Sequence, residues 1–424
     1  MIVIVGGGLA GLTAARVLFR ERAPFLLLER EQALGGRVRT DVTPEGFRLD
    51  RGFQMLFTRY PAVRRHLDLQ QLGLCPLSPG AVIFGPGGER EELADPFRVP
   101  AKVWKTLRSP VLSLADKGRI ALEAADLRLR IAEGIWTDRD TTTHAYLHQR
   151  GFSEAAIERV FRPIFGGIFL DHSLNTSSNA FRFAFKMLAE GYGAVPALGM
   201  GEIARQLAAP LPPASMRLGA AVTALLREGG RVAGVRTGGE THAADAVILA
   251  VDSPTAAAFS GAALPTAGNG VTTLYFAGAE PLTDEPRLLL NADPEGTINA
   301  AVQISNVAPQ YAPAGEHLLS VTMLGNRDEP DDDLEAKART ELSGWFGNDP
   351  VSHQRLLSLS RIAFGQFPQP AGFAEHLPPV RGEPGLYHGG EYTRAASING
   401  AIEAGEAAAR AALEDLGSTP ARRA

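Results

Sequence analysis

The chain is poor in several things, and each absence removes a class of explanation. It has a single cysteine, Cys75, in 424 residues, so an internal disulfide framework and a cysteine-rich metal centre are both excluded. No run of about 18 consecutive apolar residues occurs, so no transmembrane helix is expected. Positive charge is not in excess: 42 Lys and Arg stand against 47 Asp and Glu, a net charge of −5, and nucleic acid is not an expected partner. A strand is predicted from residue 2, so no signal peptide is expected, and the expected location is cytoplasmic or peripheral to a membrane. What is present is 45% hydrophobic and 21% charged. That supports a substantial core in a chain too long for a single simple one, and two domains are expected.

The most informative stretch is the first. Ile2 to Val5 is a β-branched run that leads into Gly6-Gly7-Gly8-Leu9-Ala10-Gly11, and an Ala-rich helical pattern follows from Leu12 to Phe19. In a Gly-x-Gly-x-x-Gly turn between strand and helix, Gly6 allows the tight turn. Gly8 admits a pyrophosphate close to the backbone, and Gly11 lets the helix pack on the strand. The helix N-terminus adds unpaired N–H groups and partial positive charge. Such a turn also occurs for purely structural reasons, but its position between strand and helix favours a dinucleotide. Phe25 to Glu29 reads as the second parallel strand. Glu29, 18 residues after Gly11, stands where a carboxylate accepts hydrogen bonds from a ribose, with Arg30 beside it. Gly35-Gly36-Arg37 then offers a second tight turn and a planar cation for the pyrophosphate, which an NAD site does not need.

Together, Gly6-x-Gly8-x-x-Gly11, Glu29 and Gly35-Gly36-Arg37-x-x-Thr40 resemble the flavin amine oxidase superfamily, which includes amine oxidases, protoporphyrinogen oxidases and phytoene desaturases. Asp50-Arg51-Gly52-Phe53-Gln54 is similar to the segment that passes beside the flavin ring in those families, although Phe53 reads equally well as core. The position of Val222 resembles one whose backbone contacts the adenine. Near the C-terminus, Gly389-Gly390-Glu391 followed by Ser397-Ile398-Asn399-Gly400-Ala401 resembles the family's closing motif, with Glu391 where many relatives carry Asp. The resemblance implies that Gly390, Glu391, Ile398 and Gly400 hold the ribityl-phosphate arm and the pyrimidine end of the ring. It also implies a dissociable, non-covalent FAD, because Cys75 is far from the segment where relatives with a cysteinyl flavin carry it.

The expected fold class is α/β, with a discontinuous, Rossmann-like FAD-binding domain of the glutathione-reductase type. Its expected pieces are 1–95, 195–256 and 370–424. The expected substrate domain is α+β, with a helical insertion at 96–194 and a sheet at 257–369. Helices are predicted from Leu112, over Thr141–Gln149, over Ser153–Phe161 and over Asp333–Trp345. Thr176–Asn179 and Gly191–Gly193 read as loops, and Ala220–Leu226, Arg231–Arg236 and Ala246–Val251 read as a strand meander.

No second Gly-x-Gly-x-x-Gly follows a strand, so no NAD(P)H site is expected and electrons come from an organic substrate. The expected reaction is dehydrogenation of a small apolar molecule, isoprenoid, carotenoid or porphyrinogen in type, by hydride transfer to flavin N5. No catalytic side chain is assigned. A flavin amine oxidase is the rival reading, but two features that the resemblance implies for it are missing. There is no Lys between Lys186 and Lys337, and the loop Arg394–Ile398 has no aromatic residue. A non-redox escort protein or a sugar-ring mutase is the reading from another class. The stretch Phe97–Arg108 carries Arg98, Lys102, Lys105 and Arg108 around Val103, Trp104 and Leu107. It reads as a solvated helix or, less favoured, as a peripheral membrane contact. His144-x-x-x-His148 puts two imidazoles on one helical face but has neither a zincin Glu nor an evident third ligand, so no metal is expected. His388 flanks the flavin-side glycines and reads as a satisfied histidine rather than a ligand of the ring. No oligomeric state is read from the sequence.

Overall fold

The computed structural model describes residues 1–94, 98, 109 and 111–417. The apolar runs Ile2–Val5, Phe25–Leu28 and Ala246–Leu249 become strands in which every residue is buried. Such runs suit a parallel sheet covered on both faces. They join Met216–Arg217 and Leu386–His388 in a five-stranded parallel sheet, in the order 216–217, 25–28, 2–5, 246–249, 386–388. Three distant parts of the chain are thereby sewn into one layer. The helices Leu9–Arg20 and Ile398–Gly417 cross above it at close range. A Cβ on Gly405 would lie 2.0 Å from the Ala10 carbonyl oxygen.

The meander has three strands, as expected, but its third is Glu240–Ala243 and not the stretch from Ala246. Val222–Glu228, Arg231–Thr237 and Glu240–Ala243 form an antiparallel three-stranded sheet. Ala246–Leu249 leaves it for the centre of the parallel sheet, because its four apolar residues are suited to burial on both faces.

A seven-stranded sheet forms the second layer, in the order Arg355–Gln366, Asn269–Gly278, His317–Leu324, Ala300–Gln303, Leu288–Asn291, Gly80–Phe84, Arg90–Ala94. Its pairs are antiparallel except for Leu288–Asn291 with Gly80–Phe84. The helix Asp331–Phe346 covers one face by burying Leu334, Ala338 and Leu342 against Val82, Phe84, Leu274 and Phe276. Trp345 stacks on Phe84 with ring centroids 4.4 Å apart. Because Gly80–Phe84 and Arg90–Ala94 pair here, the chain changes layer before residue 95.

The helical block contains Leu114–Leu129, Thr143–Gln149 and Ser178–Glu190. Between the last two, a helical run passes from Glu154–Ala156 through a π turn at Ile157–Phe161 into Arg162–Phe169. Ser178–Glu190 is a correction to the reading of Thr176–Asn179 as a loop. Ser177 Oγ accepts from the amides of Asn179 and Ala180, which makes that stretch a helix cap. Ser and Asn serve caps and turns alike, which hid the helix start. The Phe97–Arg108 stretch lies outside the described residues except for Arg98. No helix among the described residues is long and apolar enough to cross a membrane.

Candidate cofactor and substrate cavity

A cavity of about 780 Å3 is lined from both layers and from the helical block. One end of it is built by the first glycine loop. Gly6 has φ +107°, and a Cβ there would lie 2.5 Å from the Ala250 carbonyl oxygen. A Cβ on Gly11 would lie 1.9 Å from the Gly6 carbonyl oxygen. Both glycines are required by the protein's own backbone. Gly8 is different: it lines the cavity, its φ is −77°, and no described atom lies within 4 Å of where a Cβ would stand. Nothing among the described residues requires glycine at Gly8, which leaves open space on the cavity side of its backbone.

Glu29 holds this loop. Its Oε2 accepts from the Gly7 amide at 2.5 Å and its Oε1 from the Glu31 amide at 2.9 Å. The second glycine pair docks on the first, through the Gly35 amide to the Gly7 carbonyl at 2.9 Å, with Gly36 at φ +57° over Gly8. Arg37 does not point freely toward a pyrophosphate. Its Nη2 pairs with Glu391 Oε2 at 2.6 Å, and its Nη1 donates to the Gly365 carbonyl at 2.8 Å. Burial pulls the guanidinium pKa down, but Glu391, aided by Asp252, outweighs it and the net shift is upward. The other oxygen of Glu391, Oε1, is buried and has no hydrogen-bond partner among the described residues. That leaves an acceptor on the cavity wall awaiting a donor.

The helix Ile398–Gly417 starts at the cavity, with Ser397 Oγ accepting from the Gly400 amide at 2.9 Å. Of the residues expected at the site, Gly6, Gly8, Leu9, Ala10, Glu29, Arg30, Gly36, Arg37, Gly52, Phe53, Val222, Glu391 and Ile398 line this one cavity. Gly11, Gly390 and Gly400 do not, and they serve close packing. A Cβ on Gly390 would lie 2.6 Å from the Val251 carbonyl oxygen, and one on Gly400 1.8 Å from that of Ala395. His388 is also off the wall, with its Nδ1 3.2 Å from the Tyr392 hydroxyl and its pKa lowered by burial. Cys75 sits on the strand Leu74–Pro76, away from the cavity, and its thiol reaches the Gly73 carbonyl at 3.7 Å.

Asp50 heads the Asp50–Gln54 segment without a role of its own in the sequence reading, and it precedes the cavity-lining Arg51-Gly52-Phe53 turn. Its Oδ1 accepts from the Thr40 hydroxyl and, at 2.9 Å, from the Met200 amide. Its Oδ2 accepts from Tyr311 at 2.6 Å, and Tyr275 donates to its carbonyl at 2.9 Å. These partners are all neutral, and burial raises the carboxyl to about 6. Tyr275 and Tyr311 escaped the sequence reading because isolated tyrosines in a β-rich stretch form no motif.

The far half of the cavity is walled by Trp136, Phe183 and Tyr60, whose rings lie 5.2 and 6.0 Å apart in sequence of contact, and by Ile164, Ile168 and Leu170. Asn299 Nδ2 and Gln366 Nε2 donate to the carbonyls of Pro163 and Ile168 at 3.2 and 2.7 Å, tying the helix Arg162–Phe169 to the sheet. Among the described lining residues there is no Lys, and the acids are Glu29, Glu31, Asp252 and Glu391.

Known proteins share this architecture. A family model for flavin containing amine oxidoreductases matches residues 9–413. The coproporphyrinogen III oxidase of Propionibacterium freudenreichii subsp. freudenreichii is 29% identical over 181 residues, 40% of this chain and 31% of that protein. The carotenoid phi-ring synthase of Streptomyces griseus is 29% identical over 204 residues, 45% of this chain and 39% of its own. The matched segments thus span well under half the length of these two relatives. Among solved structures, a provisionally assigned protoporphyrinogen oxidase from Exiguobacterium sp. 255-15 superposes with a TM-score of 0.75 at 22% identity, covering 97% of this chain and 98% of that one. With the family match running over nearly the whole chain, this protein belongs to the flavin-containing amine oxidoreductase family, and its cofactor is FAD.

Proposed function

We propose that this protein dehydrogenates an apolar substrate, isoprenoid, carotenoid or porphyrinogen in type, with non-covalent FAD as the immediate oxidant. The observation that carries the reading is the aromatic and aliphatic wall formed by Tyr60, Trp136, Phe183, Ile164, Ile168 and Leu170, in a cavity with no lysine among its described lining residues. An ammonium substrate would have to pass this apolar wall and would find there neither a lysine nor any other charged group among the six residues that form it. That weighs against the amine oxidase reading.

The open space at Gly8 and the unpartnered Glu391 Oε1 fit the cofactor. In this reading Gly6, Gly8, Leu9, Ala10, Glu29 and Arg30 hold the nucleotide end, with Val222 at the adenine. The N-terminus of Leu9–Arg20 offsets pyrophosphate charge. Gly36 and Arg37 brace the loop, Glu391 and Ile398 hold the arm and ring, and Gly52 and Phe53 flank it, while Gly11, Gly390 and Gly400 keep the frame closed. When bound, FAD would supply the acceptor for a hydride equivalent. The protein's part is orientation and exclusion of water, by Tyr60, Trp136 and Phe183 on one wall and Ile168 and Leu170 on another. We assign the parallel sheet with its flanking pieces to the FAD domain, and the seven-stranded sheet with the helical block to the substrate domain.

An anaerobic bleaching screen without NAD(P)H tests the reading. The purified protein is expected to show flavin absorbance that a porphyrinogen or carotenoid precursor bleaches and that simple amines leave unchanged. Bleaching by amines alone would replace the proposal with the amine oxidase reading, and a flavin that no substrate bleaches would favour a mutase. Absence of flavin would leave the escort reading. Glu391→Ala is expected to weaken FAD binding by about tenfold to a hundredfold, the worth of a hydrogen bond to a charged group, as read by a flavin-fluorescence titration.

A further inference from the structure

The pair His144 and His148 has no third ligand in its own helix, and the fold supplies one. Glu154, six residues beyond His148, opens the next helical run and turns its carboxylate back onto both rings. His148 Nε2 is 3.1 Å from Glu154 Oε2, and His144 Nε2 is 4.0 Å from Oε1. The two imidazoles meet edge to face with centroids 4.6 Å apart. One ligand atom from each of the three residues falls within 4.8 Å of the others. We propose that His144, His148 and Glu154 form a binding site for a divalent transition ion of the zinc class, outside the flavin cavity.

Three observations support it. The first is donor chemistry: two imidazoles and one carboxylate with an open fourth position form a known zinc ligand set. In a tetrahedral site with bonds of about 2.1 Å, ligand atoms stand roughly 3.4 Å apart. All three side chains are at the surface, where small rotamer changes close the remaining distance.

The second is support for the backbones. Thr142 Oγ1 caps the first helix by accepting from the Ala145 amide at 3.1 Å. Ser153, just before Glu154, donates both its amide and its hydroxyl to Asp116, at 3.0 and 2.8 Å. The ligands therefore stand on pinned helix ends rather than on a loose loop.

The third is charge. Glu158, one turn beyond Glu154, is held by Arg162 through two bonds of 2.7 and 2.5 Å, and Glu154 also acts electrostatically on that guanidinium. Glu154 and Glu158 together carry two negative charges against the one positive charge of Arg162, which leaves this side of the cluster one negative charge in excess. His148 also lies in the last turn of its helix, where the helix dipole favours a cation.

The position gives the site a consequence. Glu154 leads through the π turn at Ile157–Phe161 into Arg162–Phe169, which supplies Pro163, Ile164, Gly167 and Ile168 to the cavity wall. An ion shared by the two helices would staple that wall to its neighbour.

The test uses the untagged, flavin-loaded protein and ZnCl2, followed by calorimetry and thermal unfolding. The expected result is one zinc ion per chain and a melting temperature raised by about 3 °C at saturating ion. Glu154→Gln and His148→Ala should each weaken binding by at least about tenfold, while His353→Ala, on a separate surface helix end, leaves it unchanged. Both ligand variants alter exposed side chains, and flavin absorbance reports that they fold. No binding by the native protein, or zinc affinity unchanged in the His144→Ala/His148→Ala double variant, would overturn the proposal.

Discussion

Gly8→Val is expected to give a folded protein without flavin, and Gly11→Val a protein that fails to fold. The two positions belong to one motif, yet the structure separates their reasons. At Gly11 a Cβ would stand 1.9 Å from the Gly6 carbonyl oxygen. Gly6 cannot retreat, because its amide is bonded to the Leu28 carbonyl at 2.8 Å inside the parallel sheet. Overpacking of an ordinary core costs about 1–3 kcal/mol. A clash between two pieces of fixed backbone exceeds that, and total stabilities are only about 5–15 kcal/mol. The gain in helix propensity on replacing glycine, under about 1 kcal/mol, does not offset it. At Gly8, in contrast, φ −77° and ψ −174° suit a β-branched residue, and there is no described atom within 4 Å of its Cβ. A valine there projects into the cavity. We expect Gly8→Val to melt within about 3 °C of the native apoprotein, and its FAD affinity to fall by at least about a hundredfold, close to 2.7 kcal/mol. Wild-type flavin content in Gly8→Val would remove the loop from the cofactor site. A well-folded Gly11→Val would show that the strand–helix contact is not as tight as described.

The same contrast explains what could be read from the chain before its structure. Local motifs whose geometry is fixed by a few neighbouring residues were legible. The Gly6–Gly11 turn, the position of Glu29, the closing helix and the helix over Asp331–Phe346 were all visible in spacing or resemblance. Features made by distant partners were not. The salt bridge of Arg37 to Glu391 joins residues at opposite ends of the chain, and no local pattern encodes it. The helix Ser178–Glu190 was missed because its cap is written in turn residues. Its buried face, with Phe181 and Phe183, also makes sense only once the other aromatic rings are in place. The approach of Glu154 to His144 and His148 is hidden for a related reason, since the chain must turn between two helices before the carboxylate faces the imidazoles.

Asp50 sets the second large expectation, a pH dependence of stability. The carboxyl is buried, its hydrogen-bond partners are neutral, and burial raises its pKa from 3.8 to about 6. A carboxyl raised in the folded state favours the protonated form there. Its contribution is therefore fully present below pH 3.8 and is lost as pH rises through about 6. A displacement of about two units corresponds to roughly 3 kcal/mol between those limits. Other groups tilt the curve the opposite way. Glu406, lowered to about 2 by His66 and Arg410 despite its desolvation, contributes stability above the ordinary carboxylate range and loses it in acid. The measurement is therefore a difference. Asp50→Asn keeps an acceptor for Thr40 and the Met200 amide and can donate its own N–H to the Tyr311 oxygen, but it does not titrate. Denaturant unfolding from pH 4 to 8 should show the wild type falling behind Asp50→Asn by about 2–3 kcal/mol as pH rises. Parallel curves, or a wild type that gains on the variant with rising pH, would mean that the buried carboxyl is not held protonated by its surroundings. Thr40 and Met200 approach Asp50 from outside the seven-stranded sheet, Tyr275 from a strand of that sheet and Tyr311 from the turn Pro309–Tyr311. Loosening this joint moves the Arg51-Gly52-Phe53 turn that lines the cavity. Asp50→Ala, which removes the acceptor as well as the charge, should therefore lose flavin affinity, whereas Asp50→Asn should retain it.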